Sequence, residues 1–71
     1  MKLPTVQIQE INHEEAGKQI RTLRLKNNIA LRRLAVELKV SNPFLYDLEL
    51  GRRSWTKERF ELAQKKIKEI V

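Results

Sequence analysis

The chain contains no cysteine, so neither a disulfide nor a thiolate-held metal can brace it. Its one histidine, His13, cannot assemble a zinc site alone. Two glycines and two prolines in 71 residues leave too few turn formers for a β-rich fold with its repeated hairpins. No apolar run approaches the ~18–20 residues that cross a bilayer. The first residues also lack the apolar core of a secretory signal. A cytoplasmic protein is therefore expected, with no membrane partner. There is no glycine-rich phosphate loop, no metal-ligand cluster and no nucleophile placed beside His13, and the chain is small for enclosing a substrate pocket. Catalysis, a cofactor and a small-molecule effector are accordingly not expected. His13 itself reads as a surface residue of a first helical turn.

What the chain does have is charge of mainly one sign. Fifteen Lys and Arg against nine Asp and Glu give a net charge of +6. On so short a chain that excess points to a polyanionic partner; the plain alternative is a merely soluble surface. The excess is concentrated. Residues 21–53 hold eight Lys or Arg and three Asp or Glu, and so carry +5 of the +6, whereas the last helical segment comes closer to balance. Leu, Ile, Lys, Arg and Glu dominate the rest, which suits helices. A chain this short forms one domain near the lower size limit for folding without staples.

Local signals divide residues 12–71 into helices and set off an arm before them. In residues 1–11, MKLPTVQIQEI, Val6 and Ile8 alternate with Gln7 and Gln9; this is either a short strand in need of a partner or a flexible arm. Asn12 followed by Glu15 predicts a capping box and a helix from His13 to Lys26, burying Ala16, Ile20, Leu23 and the flanking Leu25. Asn27 and Asn28 can adopt the left-handed geometry that ends it. Leu31, Leu34, Ala35 and Leu38 recur at i, i+3, i+4 and i+7 and predict a second helix, with Arg32 and Arg33 facing away. Lys39 and Val40 form a short link. Ser41 caps a third helix, Pro43 fits its first turn, Leu45 and Leu48 face inward, and Gly51 ends it. Thr56 caps a fourth helix from Lys57 to Ile70, whose apolar stripe is Phe60, Ala63, Ile67 and Ile70, and Trp55 packs over the junction before it. Two short helices joined by so tight a turn read as a helix-turn-helix, whose second helix can enter a DNA major groove.

The stretch LRRLAVELKVSNPFLYDLELGRR resembles the phage-repressor and Cro-like helix-turn-helix domains, and the likeness extends upstream to KQIRTLRLKNN. It rests on Leu34-Ala35, Leu38, Val40, Ser41 and the Glu49-Leu50-Gly51-Arg52 ending. Two positions depart from the family pattern. Lys39 stands at the usual turn glycine, so a side-chain-bearing residue must take that backbone geometry. Ala30 and Leu31 replace the polar pair that often opens the second helix and touches phosphate.

The resemblance implies an all-α, four- to five-helix lambda-repressor-like domain, expected to bind double-stranded DNA as a homodimer on a two-fold symmetric operator. The function implied is a transcriptional repressor or autoregulator, in a phage, restriction-control or antitoxin setting. Base reading is expected from Asn42, Pro43 and Asp47 and next from Tyr46 and Phe44. Asn pairs with adenine edges, Asp accepts from the cytosine amino group, and Pro43 and the rings touch thymine methyls. Phe44 and Tyr46 are alternatively part of the core or a partner contact, and Asp47 alternatively pairs with a nearby arginine. Phosphate contact is expected from Arg32, Arg33, Lys39, Ser41, Arg52, Arg53 and Ser54, which fix register and supply affinity. The resemblance further implies that Arg24 and Glu49 form an inward ion pair that orients the third helix; the alternative leaves both at the surface. Competing with DNA binding is a protein-binding adaptor anchored by Phe44, Tyr46 and Trp55. A basic membrane-surface binder fits less well, because the charge does not lie along one long amphipathic helix.

Overall fold

A computed structural model describes residues 12–70 as an all-α fold of four helices. These are α1 (His13–Lys26), α2 (Leu31–Leu38), α3 (Asn42–Glu49) and α4 (Lys57–Ile70). The strand or arm expected over residues 1–11 lies outside the described residues. No helix among those described is long and apolar enough to cross a membrane.

Each start has a local cause. The Asn12 side-chain oxygen accepts from the Glu15 N–H at 3.0 Å, the Ser41 hydroxyl from the Phe44 N–H at 3.2 Å, and the Thr56 hydroxyl from the Arg59 N–H at 3.0 Å. α2 starts at Ala30 with no side-chain cap. The first turn of α1 carries Glu14 and Glu15 and its last turn Arg24 and Lys26, each sign matching the helix dipole.

Three helices end the same way. In each, one left-handed residue lets two N–H groups fold back onto the last free carbonyls. Asn28 (φ 58°), Lys39 (φ 60°) and Gly51 (φ 79°) hold those positions. The returning N–H groups belong to Ile29, Val40 and Arg52, which donate to the carbonyls of Arg24, Ala35 and Asp47 at 2.9, 3.0 and 2.9 Å. Only Gly51 adopts this geometry without a Cβ penalty. At Lys39 the penalty is about 1–2 kcal/mol.

Ile20, Leu34, Leu45, Leu48 and Ile67 are the largest fully buried side chains, joined by Ala16, Ile29, Ala35, Leu38, Trp55 and Ala63. α1 packs against α3 and α4, and α2 against α3 and α4. Leu25 corrects the expected apolar face of α1: it is 51% exposed. The buried line runs Ala16, Gly17, Ile20, Arg24. Leu25 lies one residue past it, a rotation of ~100° that carries it off the core. Gly17 is a point of close approach between α1 and α3. A Cβ there would run into the carbonyl oxygens of Leu48 and Glu49, so α3 rests directly on the backbone of α1.

Candidate nucleic-acid interface

α3 is held from the inside. Leu45 and Leu48 are fully buried. The indole N–H of Trp55 donates to the Leu48 carbonyl at 2.9 Å, and the Trp55 backbone N–H donates to His13 Nδ1 at 2.9 Å. His13 therefore ties the start of α1 to the segment before α4; it is a half-buried structural acceptor and not the free surface residue expected from its place in the chain.

Beneath α3 lies a charged clasp. Arg24 donates to Glu49 from Nε at 2.8 Å and from Nη2 at 3.0 Å, while Nη1 donates to the Ile29 carbonyl at 2.9 Å. Both residues are buried. The fork of the guanidinium matches the two carboxylate oxygens, so the pair fixes the rotation of α3 relative to α1 as well as its distance. No buried side-chain N or O among the described residues lacks a partner.

With its inner side occupied, α3 turns Ser41, Asn42, Pro43 and Tyr46 to solvent. Asn42 and Pro43 stand at the leading end and Tyr46 one turn on, while the Ser41 hydroxyl caps the helix. Asp47, the other carboxylate on α3, is half-buried and engaged: its oxygens lie 3.7 Å from Arg52 Nη1 and 3.8 Å from Arg53 Nε. Of the two readings the sequence left open for Asp47, pairing with a neighbouring arginine is formed. Phe44 is half-buried, packs on the core and has a guanidinium over its ring from two directions in sequence, Arg53 at 4.8 Å and Arg59 at 5.2 Å from the centroid.

The flanks are cationic. Arg52, Arg53 and Ser54 are exposed just after α3, and Arg32, Arg33 and Lys39 are exposed on α2 and the turn. Arg33 pairs loosely with Glu37 at 3.6 Å. Arg52 and Arg53 face Asp47 instead. No cluster of three or more His, Asp or Glu among the described residues is arranged to hold a metal.

Comparison with protein-family models, curated proteins and solved structures found no match. Three parts of the site had no signal in the sequence: Gly17 as the seat of α3, the His13–Trp55 bond, and Arg59, which sits in the first turn of a different helix and reaches Phe44 only through the fold. The nearest hint was the Thr56 cap, which fixes the backbone of Arg59 three residues on.

Proposed function

We propose that this chain is a sequence-specific, double-stranded-DNA-binding transcriptional regulator with a phage-repressor or Cro-like helix-turn-helix fold. In this reading it acts as a repressor or autoregulator by occupying a two-fold symmetric operator as a dimer. One observation carries the proposal. α3 is anchored by buried residues on one side and presents exposed Asn42, Pro43 and Tyr46 on the other, with exposed arginines immediately after it. A rigid helix whose leading end is free and whose trailing end is cationic fits a major groove bordered by phosphates.

Asn42, exposed and without an internal side-chain bond among the described residues, is the leading candidate for a base contact. Pro43 and Tyr46 offer apolar surface to thymine methyls. Asp47 reads a cytosine only by exchanging its two guanidinium partners for the base, so its contribution is net of two weak, part-exposed ion pairs. The departure at Ala30 leaves α2 without a capping side chain, and phosphate contact there falls to the backbone N–H groups of its first turn and to Arg32 and Arg33.

Selection of bound sequences from random duplex DNA tests the reading. A symmetric motif is expected, and Asn42→Ala is expected to relax preference at one position per half-site, by ~1–3 kcal/mol for a bidentate contact. A protein-binding adaptor is the second reading; of its expected anchors Trp55 is buried and Phe44 half-buried, which leaves Tyr46, with Leu50 exposed one turn on. Salt separates them. DNA affinity falls steeply as salt rises, whereas an apolar contact persists. No enriched motif together with salt-insensitive partner binding would decide for the adaptor.

A further inference from the structure

Arg53 and Arg59 come to one ring from separate elements, the loop after α3 and the first turn of α4. Their guanidinium carbons are no farther apart than the sum of their two distances to the Phe44 centroid. Like charges repel within that bound, and salt screens the repulsion at its outer end. Compensation inside the protein is incomplete. Asp47 serves two guanidiniums, those of Arg53 and Arg52, and that of Arg59 has no carboxylate partner among the described residues. The electron-rich face of Phe44 offsets part of the remainder and restrains both side chains.

We propose that Arg53 and Arg59, mounted on Phe44, form a two-guanidinium clamp for a phosphodiester group of duplex DNA at the corner between α3 and α4. The inference rests on the DNA-binding reading above and extends it to a contact on α4. Phe44 is then a positioning residue rather than a base reader: its ring, already half-buried, is covered by cations and is not free to meet a thymine methyl. Guanidinium is the appropriate group because its planar fork matches phosphate oxygens, and stacking fixes the fork before the ligand arrives. Thr56 adds to this preorganisation by holding the Arg59 N–H at 3.0 Å and so setting the start of α4.

The test titrates the full chain against a mixed-sequence duplex of about 20 base pairs over roughly 50–200 mM salt. Arg59→Ala is expected to weaken binding roughly tenfold at the low-salt end and to make the salt slope shallower by about 0.9. Lys68→Ala removes the same charge at the far end of the same helix and is expected to leave the slope unchanged. Phe44→Leu keeps apolar volume toward the core but removes the ring, and its loss is expected to overlap with that of Arg59→Ala, so that the double variant falls well short of the two losses combined. Circular dichroism checks the fold of each variant. If Phe44→Leu does not fold, the coupling is read from Arg53→Ala and Arg59→Ala, which act on one phosphate and must also be non-additive. Equal losses from Arg59→Ala and Lys68→Ala would reduce the effect to net charge and overturn the clamp, as would strict additivity. Duplex binding by the unmodified protein with Arg59→Ala unaffected overturns the clamp alone. Absence of salt-dependent duplex binding by the unmodified protein overturns the DNA reading and the clamp together.

Discussion

Arg24 spreads one charge over three acceptors, both Glu49 oxygens and the Ile29 carbonyl. Burying either ion alone is expensive, and the pair persists because geometry and added hydrogen bonds offset the desolvation. Glu49→Gln keeps the shape but leaves a guanidinium, buried to 8% exposure, facing a neutral amide. It is expected to destabilise the fold by about 3 kcal/mol, read as a lower urea midpoint with an unchanged slope. Replacing both partners by Met and Leu is expected to recover most of that loss, since well-packed apolar substitutes of similar volume often match a buried pair. A loss below ~1 kcal/mol for Glu49→Gln would show that water screens the clasp as it does a surface pair. The clasp is also where the family resemblance added most: charge pattern alone allowed both residues to sit at the surface, and nothing in the local sequence marked the Ile29 carbonyl as a third partner.

At the scale of elements, all four helices lie where caps and apolar stripes predict them, because those signals are complete within a few residues. The link at Lys39 also takes the left-handed backbone that the missing turn glycine demands. Contacts between elements were less legible. Leu25 looks like core by composition but rotates outward, and His13 looks exposed yet accepts a bond from a residue 42 positions away. Gly17 is the sharpest case. Within a helix, Gly→Ala normally stabilises by roughly 0.5–1 kcal/mol. Here the added methyl meets two backbone carbonyls, which cannot swing aside as a side chain would. Gly17→Ala is therefore expected to destabilise by about 1–3 kcal/mol. It should also shift Trp55 fluorescence, because the Leu48 carbonyl that receives the indole N–H must move. Stabilisation by this substitution would mean that α3 does not rest on α1 as described.

At the scale of the whole molecule, the protein carries one α3 of eight residues, about 12 Å long at 1.5 Å per residue, and only Asn42, Pro43 and Tyr46 on its outer side are left to touch bases without breaking an internal contact. In the DNA-binding reading such a head covers a few base pairs, too few to define an operator, so two copies must read two half-sites about one helical turn apart. Joining them makes the second contact effectively intramolecular, which is worth on the order of 100- to 10,000-fold over one half-site without any new contact. That gain depends on geometry and can be removed without touching the protein. Inserting about five base pairs between the half-sites rotates one of them to the opposite face of the duplex, given ~10.5 base pairs per turn. Affinity is then expected to fall to that of a single half-site, with each half-site sequence intact. Native mass spectrometry should show two protomers on the original duplex and one on the altered duplex at low protein concentration. An insertion without effect on affinity would mean that each protomer binds alone, and the dimeric part of the reading would have to be given up while the role of α3 stood.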